Sequence, residues 1–411
     1  METLNATPMA NRFTIGIFGR RNTGKSSLIN ALTGQAVAVT SEVAGTTTDP
    51  VYKTMELLPL GPVVFFDTAG LDDTGELGML RIEKTYEVLR KCNLAIVVTE
   101  RESGFTAFET EFIERLRQRR IPCIGVLNKC DQGLPESRTL AQIQEAIKIP
   151  LVCTSAINDL GIEELKQQII AHANYEEVEP SLLEDIIKAG DIAVLVVPID
   201  KSAPKGRLIL PQQQTIRAIL DCKAVAVVTK EHELKSTLQS LNNPPAIVIT
   251  DSQAFQQVAA DTPPEIPLTS FSILFARQKG DLTEMVRGIK RLERLAAGDK
   301  VLIAEGCTHH RQEEDIGKVK IPRWIHQITG KEIKFDWVSG SRFPKDLSEY
   351  ALIVHCGACM LNRREMQYRI AQAREQGVFI TNYGLLIAHV TGILPRALQP
   401  FPAASFALQT T

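Results

Sequence analysis

From Phe13 to about Tyr175, short apolar runs alternate with amphipathic stretches of helical spacing, the apolar runs falling at Thr14–Phe18, Val63–Asp67, Leu94–Val98, Cys123–Asn128 and Leu151–Thr154. Runs that are apolar throughout predict strands buried on both faces, and hence a mainly parallel, helix-covered sheet. The acidic, proline-containing Glu176–Pro180 breaks the pattern and reads as a linker. Beyond it, Ile192–Ile199, Ala224–Thr229 and Ala246–Thr250 predict strands, separated by helix-like Gln212–Leu220 and Leu234–Leu241. This small βαβαβ unit ends at the proline-rich Thr262–Pro267. The remainder holds strands at Lys300–Ala304, Ala351–His355 and Val378–Tyr383 and a helix at Arg363–Gln376. The chain therefore reads as α/β throughout, in three domains at 1–176, 177–265 and 266–411.

Length supports the division, because 411 residues exceed what one core holds. With 46 Lys plus Arg against 48 Asp plus Glu, the net charge of −2 supplies no field to attract nucleic acid or an anionic membrane. No apolar run approaches the ~18 residues of a membrane span, and the start carries no signal-peptide-like stretch. A cytoplasmic protein, free of membrane and nucleic acid, is the expectation. Its eight cysteines are then thiols or metal ligands rather than a disulfide framework.

Gly19-Arg20-Arg21-Asn22-Thr23-Gly24-Lys25-Ser26 fits the P-loop pattern between the strand Thr14–Phe18 and the helix predicted from Ser27 to Leu32. Its glycines let backbone N–H groups wrap phosphates, with Asn22, Thr23, Gly24 and Ser27 in the binding set. Lys25 reaches the β- and γ-phosphates and the Ser26 hydroxyl ligates magnesium. Asp67-Thr68-Ala69-Gly70 follows the next strand, placing Asp67 toward magnesium through water and the Gly70 amide toward the γ-phosphate. In Asn128-Lys129-Cys130-Asp131, the Asp131 carboxylate can accept from guanine N1–H and its 2-amino group, a donor pair that adenine lacks. The backbone of Thr154-Ser155-Ala156 is placed to meet guanine O6. These residues make GTP or GDP the expected nucleotide.

In this order the motifs resemble the translation-factor-related GTPases, most closely the Era and MnmE-like branch, over about the first 175 residues. The resemblance implies a Ras-like domain and a first switch at Gly45-Thr46-Thr47-Thr48-Asp49, with Thr47 on magnesium and the γ-phosphate. Lys25, Thr47 and Gly70 are then the catalytic set. Leu71 stands where Ras-like enzymes carry a water-orienting glutamine, so intrinsic hydrolysis should be slow. Asn22 either shapes the loop or, as in MnmE-like enzymes, helps bind a potassium ion in place of an arginine finger.

Cys307-Thr308-His309 and His355-Cys356-Gly357-Ala358-Cys359 each follow a predicted strand, so a parallel sheet would bring them to one edge. On chemistry alone, tetrahedral zinc, a three-thiolate iron-sulfur cluster and inert thiols remain open. The whole arrangement resembles the HydF family of iron-iron hydrogenase maturation GTPases: a P-loop domain, a small middle domain, Cys-x-His, about 45 residues, then His-Cys-x-x-Cys. That resemblance implies a four-iron four-sulfur cluster on Cys307, Cys356 and Cys359, with His309 or His355 as candidate fourth ligand. It further implies dimerisation through the middle domain. It implies, too, a scaffold that receives a di-iron precursor from radical-SAM maturases and delivers it to the apo-hydrogenase. The rival function is an Era-like GTPase of RNA or ribosome processing with a structural zinc. Near-neutral charge and the lack of a KH-type Gly-x-x-Gly module count against it.

Cys92, Cys123, Cys130, Cys153 and Cys222 lie in or beside apolar segments and read as inert thiols. Arg115–Arg120, beside Glu109, Glu111 and Glu114, reads as a solvated helix face. Trp324 and Trp337 read as core rather than partner surface.

Overall fold

The computed structural model describes residues 7–34, 51–68, 70, 84–173, 180–199, 208–306, 315–340 and 342–410. The chain divides into two compact units, Met1–Val178 and Glu179–Thr411.

The first unit is built on six strands: β1 (Phe13–Phe18), β2 (Val51–Leu57), β3 (Gly61–Asp67), β4 (Leu94–Glu100), β5 (Cys123–Asn128) and β6 (Leu151–Cys153). Their order is β2-β3-β1-β4-β5-β6. All neighbours are parallel except β2, which runs antiparallel to β3 from Val51 opposite Asp67 to Leu57 opposite Gly61. Strand β1 is buried at every position, as its unbroken apolar run requires. Ile15 and Ile17 face a core with Leu28, Phe65 and Leu165, while Phe18 faces a second with Phe112 and Leu116. The antiparallel β2 was not legible: it is largely exposed, and Lys53 and Glu56 break up its apolar pattern.

The second unit carries two parallel four-stranded sheets. One consists of β7 (Ile192–Val196), β8 (Val225–Thr229), β9 (Ile247–Thr250) and β10 (Leu268–Ser270), in the order β10-β9-β7-β8. The other consists of β11 (Lys300–Glu305), β12 (Lys334–Ser339), β13 (Leu352–His355) and β14 (Phe379–Asn382), in the order β12-β11-β13-β14. The first sheet thus does not end at the proline-rich stretch, because Leu268–Ser270 lies beyond Pro267 and pairs with β9. One core joins the two sheets, Leu195 and Ile249 of the first lying in a cluster with Ile303 and Val354 of the second.

The helix Phe271–Lys279 explains that continuity. Phe271, Ile273, Leu274, Phe275 and Ala276 are all buried, so it has apolar side chains on more than one face and needs protein on more than one side. Ser270 caps it by accepting from the Ile273 N–H. A buried phenylalanine is worth roughly 1.5–3 kcal/mol over an exposed one. Phe271 and Phe275 therefore tie the sheets together more strongly than the surface ion pair Arg277–Asp185, an interaction of a kind worth about 0–1 kcal/mol.

Candidate functional site

Chemistry-bearing residues gather in two places, one in each unit. In the first unit, β1 delivers the loop Gly19–Ser26 into the helix Lys25–Thr33, which starts two residues earlier than its apolar pattern predicts. Gly24 caps that helix at φ 84°, and a Cβ there would lie 2.3 Å from Asn128 Nδ2. Only glycine fits both demands. Lys25 is buried, and its ammonium donates to Gly19 O at 3.1 Å and Arg20 O at 2.7 Å, drawing the loop around itself. The Thr23 hydroxyl also donates to Arg20 O.

Two residues expected at magnesium meet directly, the Ser26 hydroxyl donating to Asp67 Oδ2 at 2.5 Å. Burial pushes the Asp67 carboxyl above its ordinary pKa, opposed by the Ser26 hydrogen bond and the Lys25 charge. A bound dication would relieve that penalty. Around them, Arg21, Asn22, Gly24, Lys25, Ser26, Ser27, Asp67, Thr68, Gly70 and Lys129 line a cavity of about 550 Å³. Thr47 and Leu71 lie outside the described residues.

Strands β5 and β6 bring the base-facing motifs alongside. The Asn128 amide is braced from two sides: Nδ2 donates to Thr23 O at 2.9 Å, and Oδ1 accepts from the Thr154 hydroxyl at 3.1 Å. Asp131 is exposed and oriented by the Ser155 hydroxyl, 3.0 Å from Oδ1. Ala156 follows Ser155, while Lys129 takes a left-handed φ of 64° and pairs with Glu100. The sequence pattern could not show that Asn128 braces the phosphate loop, since Thr23 lies 105 residues away.

In the second unit, β11 and β13 are parallel with Ala304 opposite His355, so both cysteine-bearing segments leave the same end of the sheet. The Gly306 N–H donates to Cys356 Sγ at 3.0 Å, and the Ala358 N–H does so at 3.4 Å. Gly306 directly precedes Cys307 in the sequence. Cys307 and His309 themselves lie outside the described residues. Among the described residues, no group of three or more His, Cys, Asp or Glu side chains is arranged to hold a metal ion.

The donor set nonetheless suits a metal–thiolate group. Two backbone N–H groups on one sulfur are the partners a thiolate takes. Burial pushes the Cys356 thiol up to about 11, the two N–H donors opposing it. Burial likewise raises Cys359, against the pull of the Lys279 charge. Such thiols stay protonated near neutral pH unless a cationic group takes the proton's place. Ala358, between them, adopts a left-handed φ of 54°, a conformation a non-glycine residue keeps only where its surroundings enforce it.

His355 is not disposed as a ligand. It is fully buried, Nδ1 contacting Cys356 O at 2.9 Å and Nε2 contacting Arg369 Nη1 at 3.0 Å. Burial, then the adjacent Arg369 cation, lowers its pKa to about 3. The neutral ring thus accepts from Arg369 through Nε2 and donates to the Cys356 carbonyl through Nδ1. Arg369 is also buried, bound to Glu365 Oε1 and Gly340 O. Its five-donor fork shares a helix face with apolar Met366 and Ile370, which gave the sequence reading no cue.

The remaining expectations divide. Burial pushes Cys123 up to about 11 and Cys153 to about 12, as inert thiols require. Arg115 pairs with Glu111 and Arg117 with Glu114, each at 2.6 Å, as a solvated face does. Trp324 packs against the core, but Trp337 is 39 % exposed on edge strand β12, its indole N–H donating to Gly317 O. Among the described residues no helix is long and apolar enough to cross a membrane.

The loop, magnesium-side pair and base-facing motifs on this sheet define the first unit as a P-loop GTPase domain, and residues 14–129 match the family model described as a 50S ribosome-binding GTPase. Residues 182–280 match the hydrogen maturase F dimerization domain and residues 283–400 the hydrogen maturase F tetramerization domain. The chain belongs to the hydrogen maturase F family, the HydF proteins: a GTPase domain is followed by the family's dimerization and tetramerization domains. Among curated relatives, the GTPase Der of Sulfurimonas denitrificans is 35% identical over 172 residues, covering 39% of this chain and 34% of that protein. The tRNA modification GTPase MnmE of Acinetobacter baylyi is 36% identical over 173 residues, covering 41% and 36%. The chain thus spans about a third of the length of these relatives. A single-residue variant of Aquifex aeolicus Era, bound to GDP.AlF4-, covers 53% of this chain and 93% of its own at 19% identity, with a TM-score of 0.35. The G domain of T. maritima FeoB covers 40% and 99% at 24% identity, with a TM-score of 0.32.

Proposed function

We propose that this maturation GTPase binds a four-iron four-sulfur cluster through Cys307, Cys356 and Cys359. We further propose that it serves as scaffold and carrier for the di-iron subcluster of iron-iron hydrogenase. The observation that carries the reading is the Gly306 N–H on Cys356 Sγ, which holds the residue before Cys307 against the Cys-x-x-Cys loop. When bound, a three-thiolate cluster would offer one iron for an exchangeable ligand. His309 remains the histidine candidate for that iron. The chain's own contribution is to hold the sulfurs by backbone N–H groups, fix the loop through His355 and Arg369, and keep solvent from its inner side.

In the first unit, Lys25, Thr47 and Gly70 act on the γ-phosphate, and Ser26, Thr47 and Asp67 serve magnesium. Hydrolysis is slow for want of a glutamine at Leu71, and Asn22 assists a potassium ion. Nucleotide turnover gates exchange with radical-SAM maturases and the apo-hydrogenase in the cytoplasm. The middle sheet mediates homodimerisation: β8 is an edge strand among the described residues and exposes Val225 and Val228, which suits pairing with a second copy.

Anaerobic purification tests the central claim. Iron and acid-labile sulfide near four per chain, with broad visible absorption lost in Cys356→Ser, are expected. Stoichiometric zinc in their place would overturn it. Turnover in potassium chloride should exceed that in sodium chloride, and equal rates would remove the potassium role.

A further inference from the structure

Lys279 is the last residue of the helix Phe271–Lys279 and is only 1% exposed. Its ammonium donates to Leu361 O at 2.8 Å, Cys359 O at 3.1 Å and Ala358 O at 3.4 Å. It also lies 5.6 Å from the centre of the Phe275 ring. The contact is reciprocal. Arg363 donates to Gln278 O, and Gln367 Nε2 donates to Gly280 O at 2.8 Å and Lys279 O at 3.3 Å. The ammonium thus fills acceptors of the cysteine loop, while the helix that follows the loop fills those at the end of the Phe271–Lys279 helix. Asn362 then caps the helix Arg363–Glu375, fixing where the loop stops.

A buried ammonium is an expensive way to tie carbonyls, since neutral donors would do so without the cost of desolvating a charge. An anionic loop in the grip of that ammonium would be stabilised by it. Three thiolates around a cluster would make the loop anionic, and Cys359 already lies within the field of Lys279. The same clasp joins the cysteine loop to a helix that begins directly after β10 of the other sheet.

We propose that Lys279 is the built-in counter-charge and positioning residue of the Cys356–Cys359 loop, clasping Ala358, Cys359 and Leu361 and favouring the reduced state of a metal–thiolate group held there. This rests on the cluster reading above. Removing the charge should stabilise the oxidised form, because reduction adds an electron where a cation no longer compensates it.

The test compares the full-length chain with Lys279→Gln, which keeps N–H donors, and Lys279→Met, which keeps only the stem. Each is loaded anaerobically with iron and sulfide. Bound iron, the midpoint potential by electron paramagnetic resonance titration, and the melting temperature of metal-free protein are measured. Without metal, Lys279→Gln should melt near wild type, and Lys279→Met, which leaves three carbonyls without that donor, should melt lower but still cooperatively. Both should show about a tenfold lower reduced-to-oxidised ratio at fixed potential, about 59 mV for a one-electron couple. Lys279→Met should also lose iron to a chelator about tenfold faster. Wild-type potential and retention in both variants would overturn the proposal. So would a collapse of metal-free melting in both, which would make Lys279 a structural residue alone. A wild-type chain that takes up no iron and sulfide would overturn the cluster reading, and this inference with it.

Discussion

At the nucleotide pocket the phosphate-facing groups come from one turn, Gly19–Ser26, and Asp67 and Asn128 need only end the strands that follow. At the cysteine loop, Gly306 reaches Cys356 across 50 residues, and Lys279 reaches Cys359 across 80. The pocket is a local motif on a standard sheet, whereas the loop is a meeting of segments that only the packed second unit brings together. Pocket substitutions should therefore act on nucleotide alone. Loop substitutions should act on metal while leaving hydrolysis nearly intact.

The sharpest way to break this contrast is Lys25→Ala, expected to lower GTP hydrolysis by ~100- to 1000-fold, as removal of one transition-state donor does elsewhere. Iron binding should not change, and a parallel loss of iron would show that the sites are not independent. Asp131→Asn should weaken GTP binding by ~100-fold or more, since hydrogen bonds to a charged group are worth about 1.5–3 kcal/mol each. Titration with GTP and XTP checks it, with selectivity moving toward xanthosine. Cys356→Ser should cut iron retention by ~10-fold or more while GTP turnover stays within about twofold. A large change in turnover would mean that the cysteine loop governs the pocket. Val228→Lys, which puts a charge on the β8 edge, should shift the chain toward smaller assemblies in light scattering, with metal and nucleotide binding kept.

The smallest effect concerns pH. Because burial raises Asp67's folded pKa above its unfolded value, its contribution to stability is present at low pH and is lost as pH rises through the folded pKa. Asp67→Asn should therefore raise the melting temperature of nucleotide-free protein at pH 7 by a few degrees. That gain should shrink in acid, and a constant difference would argue against the burial penalty.

The same contrast governs what could be read before the fold was known. Strand β5 lies at Cys123–Asn128, as its apolar run predicts, and β13 differs by one residue, because runs buried on both faces leave an unambiguous mark. Strand β2 left none, being largely exposed, and β12 alternates too weakly to mark its half-exposed position. The P-loop was legible because phosphate geometry dictates spacing within eight residues. Cys356 and Cys359 stand out in the sequence by their Cys-x-x-Cys spacing, and their role in holding a cluster is the proposal made above. Lys279, Arg369 and the neutral, inward-facing His355 were not legible, because burial and distant partners define their roles. The joining of two expected domains into one core depended on Phe271–Lys279, whose apolar character is evident only once both sheets are placed around it.

The Asn128 side chain ties the segment carrying Asp131 to the Thr23 carbonyl of the phosphate loop. With Asp131 reading the purine as proposed, base recognition and triphosphate alignment would share a mechanical part. A nucleoside triphosphate with an ill-fitting base would not simply dwell for less time; it would be processed more slowly while bound, so discrimination should register in kcat as well as in KM.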